Sequence, residues 1–184
     1  KYEPIYRLLN SKNKFAANPS LALAWLVSSE NFFSNINFIE NLKLRASISR
    51  VGNDDIGNYT ARQYYISQNL LGMEGIVRGN IGNPQLQWES TDKMNLGIDA
   101  ALFHERLNIN FDYFHNKVSN MITLEPTISA SGFDYVLTNN SAMENNGVEL
   151  NVNGRVIDKT FKWDLGFNIS TYKNKVTAIP NGSQ

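Results

Sequence analysis

Apolar and polar residues alternate along two neighbouring segments of the chain. From Met94 to Leu102 every second residue is apolar, and four residues later the same alternation runs from Leu107 to Tyr113. Successive side chains of a β-strand point to opposite faces, so each segment is predicted to be a strand with one apolar and one polar face. The short connection 103–106 predicts that the two strands are joined by a very tight turn.

The same alternation recurs at 42–48, 148–152 and 161–169, and an apolar run at 21–28 predicts one more strand. We therefore expect six antiparallel strands, paired in sequence order, at 21–28, 42–51, 88–103, 107–118, 145–156 and 161–172. Residues 29–40 are expected to hold a helical turn with Ser29 as its N-cap.

The register of these strands determines which side chains share a face, because a slip of one residue would invert them all. The apolar face is predicted to contain Met94, Leu96, Ile98, Leu107, Ile109, Phe111, Leu150, Val152, Trp163, Leu165 and Phe167. The polar face is predicted to contain Lys93, Asn95, Asp99, Asn110, Asp112, Glu149, Asn151 and Asp164.

Alternation alone leaves two architectures open, a soluble β-sandwich and a transmembrane β-barrel. The connections favour the barrel, because short links at 103–106 and 157–160 alternate with long ones at 52–87 and 119–144. Outer-membrane barrels have short periplasmic turns and long extracellular loops. Compact soluble domains rarely contain two structureless loops longer than about 15 residues.

Composition narrows the function classes. The 26 asparagines suit turns, long loops and a hydrated inner surface. The formal net charge of zero argues against a nucleic-acid partner, and the absence of cysteine excludes disulfides and zinc–thiolate sites. No run approaches the ~20 apolar residues of a transmembrane helix. Because the chain begins at Lys1 without an initiator Met or signal peptide, we expect it to be a segment of a longer protein.

Two motifs carry a resemblance to a known family. The segment 42–59 reads LKLRASISRVGNDDIGNY, and 82–101 reads GNPQLQWESTDKMNLGIDAA. Both resemble the SusC/RagA family of TonB-dependent outer-membrane transporters, and the hairpin and strands that follow are similar in the same order. The resemblance covers most of 18–177. It departs from the family at 48–50, where a glycine-containing stretch is commoner.

The resemblance implies an all-β, antiparallel up-and-down meander that forms part of a barrel of about 22 strands in the bacterial outer membrane. Residues 1–184 would be a C-terminal piece of the barrel wall, without the N-terminal plug. The whole protein would import glycans or peptides without a cofactor. Its partners would be a SusD-like surface lipoprotein, the TonB complex and outer-membrane lipid. The alternative is a soluble β-sandwich carbohydrate-binding module.

Nothing in the sequence indicates an active site, because no Ser/His/Asp set or pair of catalytic acids can be assembled. His104 and His115 lie at opposite ends of one predicted strand, too far apart to share a metal ion. Asp54 and Asp55 are candidate ligand-binding residues, since clustered carboxylates suit Ca²⁺. Adjacent aspartates in a Gly/Asn-rich loop are more commonly turn formers.

Aromatic residues fall into two groups. Tyr59, Tyr64, Tyr65 and Phe133 lie in the predicted long loops, where their rings are candidates to stack on a sugar or, alternatively, to pack the loops together. Another group is predicted near strand ends on the apolar face, as in an interfacial aromatic girdle: Trp25, Phe103, Tyr113, Phe161 and Trp163.

Overall fold

The computed structural model of the chain describes residues 16–33, 36–53 and 61–180. The strands in these ranges are β1 Ser20–Leu26, β2 Ile39–Asn53, β3 Tyr65–Leu70, β4 Met73–Arg78, β5 Glu89–Leu102, β6 Leu107–Pro126, β7 Tyr135–Asp158 and β8 Lys162–Ala178. Short 3₁₀ turns lie at Val27–Ser29, Asn31–Phe33 and Ser129–Ser131. None of the helices in the described ranges has the length and hydropathy needed to cross a bilayer.

Six strands form one antiparallel sheet in the order β1-β2-β5-β6-β7-β8, and β3 and β4 form a separate hairpin. The predicted pairing in sequence order is therefore confirmed. The described parts of the β1–β2, β5–β6 and β7–β8 connections lie at one end of the sheet, here named the turn end. The described parts of the links from β2 to β5 and from β6 to β7 lie at the opposite end, here named the loop end. In the described ranges β1 and β8 do not pair with each other, so the sheet is open.

The two faces of the sheet differ as the alternation predicts. Leu44, Ile98, Phe111, Leu150 and Ile169 are direct partners across five strands, so they form one row on the apolar face. Within the described residues no second layer covers this face, and its side chains are exposed, for example Leu23 at 67% and Phe167 at 57%. An uncovered apolar face is what lipid contact requires.

The strands extend further toward the loop end than predicted, so the region 119–144 is mostly strand. β6 runs to Pro126, and β7 begins at Tyr135. The register shifts twice in this region, near Met121, and Asn120 has a left-handed φ of 55°. These bulges interrupt the period of two, so the alternation that marks a strand is hidden in the sequence.

Two further predictions are corrected by the structure. The connection 52–87 is not structureless in its described part, because it contains the β3–β4 hairpin. The helical turn predicted in 29–40 is reduced to 3₁₀ turns around Glu30. Ser29 is not an N-cap, since its hydroxyl donates a hydrogen bond back to the Leu26 carbonyl oxygen at 2.8 Å.

Aromatic side chains gather at the turn end. The Trp25 and Phe32 ring centroids are 6.4 Å apart, and those of Phe38 and Phe103 are 6.2 Å apart. Tyr113 was expected in this girdle, and that prediction is wrong. It lies well inside β6, which runs from Leu107 to Pro126, and it pairs with Leu96 and Val148 in the middle of the apolar face.

Candidate functional site

The polar face carries an ion-pair network that joins three strands. Arg45 of β2 donates hydrogen bonds to both carboxylate oxygens of Asp99 on β5, at 2.8 and 2.9 Å. Its Nη2 also donates to Asp112 of β6 at 2.9 Å. Asn110 donates to Asp99 at 2.9 Å, and Lys43 lies 3.6 Å from the same carboxylate. One guanidinium therefore links β2, β5 and β6 on this face.

Gly97 makes this network geometrically possible. It is the direct partner of Arg45 on one side and of Asp112 on the other, so all three lie in one row. A Cβ at Gly97 would lie 2.6 Å from Arg45 Nη2 and 2.6 Å from an Asp112 oxygen, well inside contact distance. The missing side chain lets Arg45 cross over β5 to reach a carboxylate two strands away.

At the loop end, a small buried cluster anchors the connection between β4 and β5. Leu86 is completely buried and packs with Ala61, Trp88 and Leu137. Since the sheet itself has no covering layer in the described residues, the buried apolar side chains lie at its ends: this cluster at the loop end, and Val27 and Phe33 at the turn end. The loop-end cluster fixes the chain that enters β5 against the start of β7.

Asparagine side chains fasten the same connection to β7. The Asn139 amide accepts a hydrogen bond from the Gln87 backbone N–H at 3.0 Å and donates to the Gln87 carbonyl oxygen at 2.9 Å. Asn83 donates to the Leu137 carbonyl oxygen at 2.8 Å. A side-chain amide can donate and accept hydrogen bonds at once. The Asn139 amide therefore pairs with the backbone of Gln87, just before β5 begins, as a neighbouring strand would.

The predicted loop aromatics lie at this end in two separate places. Tyr64 precedes β3 and lies against Gly79, where a Cβ would clash with its ring. Tyr65 begins β3 and is 62% exposed. Phe133 is half-buried in the β6–β7 loop, and its carbonyl oxygen accepts hydrogen bonds from the Thr127 and Ser131 hydroxyls. Asp54, Asp55 and Tyr59 lie outside the described residues.

In residues 16–33, 36–53 and 61–180 no group of three or more His, Asp or Glu side chains is placed to hold a metal ion. Asp54 and Asp55, which are candidate ligand-binding residues with turn formation as the commoner alternative, lie outside these ranges. The described loop end presents exposed aromatic and aliphatic side chains, among them Tyr65, Leu71 and Met73.

Sequence reasoning missed two parts of this surface. The hydrogen bonds by which Asn83 and Asn139 hold the β4–β5 connection against β7 could not be predicted from the local sequence, because asparagine is abundant throughout the chain. The hairpin tip does have a local signal, because the pair Leu71-Gly72 separates two runs of six residues that each form a strand. Leu71 is uncommon in such a turn, where Asn-Gly is the usual signal.

A protein-family model and several known proteins match nearly the whole chain. The profile of a family described as "TonB dependent receptor-like, beta-barrel" matches residues 5–183. TonB-dependent receptor P3 of Formosa agariphila is 34% identical over 178 residues, which cover 94% of this chain and 18% of that protein. TonB-dependent receptor SusC of Bacteroides thetaiotaomicron is 28% identical over 180 residues, covering 92% and 18%.

Solved structures show the same likeness. A structure of the RagAB peptide transporter has a TM-score of 0.86 and 25% identity, covering 95% of this chain and 20% of that chain. The structure of the RagAB peptide importer in its "closed-closed" state has a TM-score of 0.87 and 24% identity, and the match covers 96% of this chain and 20% of that chain. At this identity the likeness supports the fold alone. This chain spans about a fifth of the length of the relatives it matches.

Proposed function

The chain belongs to the TonB-dependent receptor β-barrel family of the outer membrane, and we propose that it forms six wall strands and two extracellular loops of a nutrient importer. The plug and the other strands would lie elsewhere in the protein. The observation that carries the proposal is the uncovered apolar face opposite a charged, hydrogen-bonded polar face. That arrangement suits a wall between lipid and a wet lumen.

A soluble β-sandwich fits the described residues poorly. A sandwich buries one face of each sheet against the other, about 10 Å away. Here apolar side chains such as Leu23, 67% exposed, and Phe167, 57% exposed, meet no opposing layer from the described chain. The relatives are receptors by name, and we extend their non-enzymatic role to this chain.

Proposed partners follow from the family and from exposed surface at the loop end. We assign the tip of the β3–β4 hairpin to contact with a SusD-like lipoprotein. Leu71 is 93% exposed there, and Met73, which follows the turn, is 73% exposed. Apolar side chains presented together on a hairpin are typical of a protein contact. In the whole protein, energy for import would come from the TonB complex.

The substrate is proposed to be a glycan or a peptide. Among the similar proteins, RagAB is by name a peptide transporter, whereas the names of the receptors give no substrate. We propose that Tyr64, Tyr65 and Phe133 contact it, with Tyr59, Asp54 and Asp55 as further candidates. Flat rings stack on sugar rings and equally on peptide side chains.

Cysteine labelling of the full-length transporter tests this placement, because the chain itself contains no cysteine. In intact cells a water-soluble maleimide should label Ile76→Cys at the hairpin. It should label His104→Cys, at the turn end, only after the outer membrane is permeabilised. Leu96→Cys on the apolar face should react with a lipid-soluble reagent and resist the water-soluble one. Rapid aqueous labelling of Leu96→Cys would favour the soluble alternative.

A further inference from the structure

The apolar face ends, toward the loop end, in a row of charged residues. Its members are direct partners across β2, β5, β6, β7 and β8: Arg50, Asp92, Lys117, Glu144 and Lys175. Arg50 donates to both oxygens of Asp92, at 2.6 and 2.9 Å. Lys117 Nζ is 3.8 Å from Glu144. The row alternates in sign and holds three cations against two carboxylates.

The position of this row matches a lipid–water boundary. Leu102 at the turn end and Asp92 are ten residues apart on β5. At about 3.3 Å per residue and a strand tilt near 40°, that separation is roughly 25 Å of height, the usual apolar band of an outer-membrane barrel. The row therefore lies where the outer leaflet meets its head groups.

A groove of about 600 Å³ crosses this boundary near the edge of the sheet. Its apolar lining comes from Leu21, Ile48 and Met94, which continue the lipid-facing surface. Its polar lining includes His115 and Lys117, two residues apart on one face of β6 and so roughly 7 Å apart along the strand.

The charged row has one more cation than carboxylates, and within the described residues Lys117 is held only by a long ion pair with Glu144. Both oxygens of Asp92 are engaged by Arg50. Lys117 is 52% exposed, and its 3.8 Å approach to Glu144 is too long for a hydrogen bond. Its ammonium donors therefore remain available to an anion, with the His115 imidazole as a second donor.

We propose that this groove binds one phosphorylated lipid of the outer leaflet. The phosphate contacts Lys117 and His115, and an acyl chain lies along Leu21, Ile48 and Met94. Charge-assisted hydrogen bonds favour a phosphate at this position, and the apolar floor favours a lipid over a free anion. The proposal goes beyond transport, since it needs only the membrane location of the segment.

Native mass spectrometry of the full-length, delipidated transporter in detergent tests the site. The probes are a phosphorylated acylated glucosamine disaccharide, its dephosphorylated counterpart and inorganic phosphate. Lys117→Gln should weaken binding of the phosphorylated lipid about fivefold, and adding His115→Gln should weaken it further. Lys117→Arg should retain binding. Lys162→Gln, the same change at the turn end, should have no effect. Mobility of the folded barrel on unheated gels checks each variant.

Three results would overturn the proposal. The dephosphorylated lipid could bind wild type as tightly as the phosphorylated one, which would show no phosphate contact. Inorganic phosphate could displace the lipid at equal concentration, which would show a free-anion site. Finally, Lys117→Gln and Lys162→Gln could weaken binding equally, which would show non-specific attraction. None of these measurements depends on transport, so they stand whether or not import is demonstrated.

Discussion

At the scale of single residues, alternation assigns a side chain to a face but does not say which charges meet. Lys43, Arg45 and Asp99 were all assignable to polar positions from the sequence. The hydrogen bond from Arg45 to Asp112 could not be predicted in this way, because it depends on the space above Gly97. Charge pairing across two strands is a property of register, which the sequence specifies only through the whole sheet.

Gly97→Ala should therefore destabilise the folded transporter. The added Cβ would displace the Arg45 guanidinium and leave Asp112 and Asp99 with fewer partners. Losing charge-assisted hydrogen bonds of this kind costs about 1–3 kcal/mol. The measurement is thermal unfolding of the full-length protein in detergent, expected to occur at lower temperature for the variant.

Gly154→Ala is the matched control, since a Cβ there meets its nearest neighbours at 3.7 Å, an ordinary contact. In an Arg45→Ala background the cost of Gly97→Ala should shrink, because the guanidinium that the Cβ displaces is gone. Equal costs for Gly97→Ala in both backgrounds would show that its effect does not pass through Arg45.

At the scale of elements, strands with unbroken alternation were predictable and interrupted ones were not. β5 begins and ends within one residue of its predicted bounds. β6 and β7 extend well beyond theirs, because bulges near Met121 break the pattern. The β3–β4 hairpin escaped prediction because its turn is Leu71-Gly72, with φ angles of 53° and 83°. Leucine seldom adopts that left-handed conformation.

The two ends of this hairpin are expected to have separate roles. Leu71→Asn should favour the turn, since asparagine tolerates positive φ, yet weaken binding of the lipoprotein partner by removing an apolar contact. Tyr65→Ala, at the base of β3, should reduce substrate affinity several-fold and leave the partner affinity unchanged.

Each variant is the control for the other. Partner affinity is measured by surface binding of the purified lipoprotein, and substrate affinity by calorimetry with a candidate oligosaccharide or peptide. If Leu71→Asn binds the lipoprotein as tightly as wild type, the hairpin tip is not its contact. Loss of both affinities in both variants would indicate that the hairpin acts as one structural unit.

At the scale of the whole molecule, the two open edges of the sheet follow from the share of its relatives that the chain spans. The chain is about a fifth of the length of its relatives, so its strands lack the neighbours that would close a barrel. β1 and β8 each present one edge with no strand partner in the described residues. Length and composition alone gave no sign of this, since 184 residues also suit a complete soluble domain.

The isolated chain should not form a stable monomeric pore. Six strands are fewer than the eight of the smallest single-chain outer-membrane barrels, and each unpaired backbone group in lipid costs several kcal/mol. Refolded alone in detergent micelles, the 20.8 kDa chain should aggregate or pair its edges with further copies. Co-refolding with the remaining strands should instead give one defined complex, measured by light scattering after size exclusion. A monodisperse monomer with its apolar face protected from labelling would contradict this, because that face would then have to be buried under the chain's own residues.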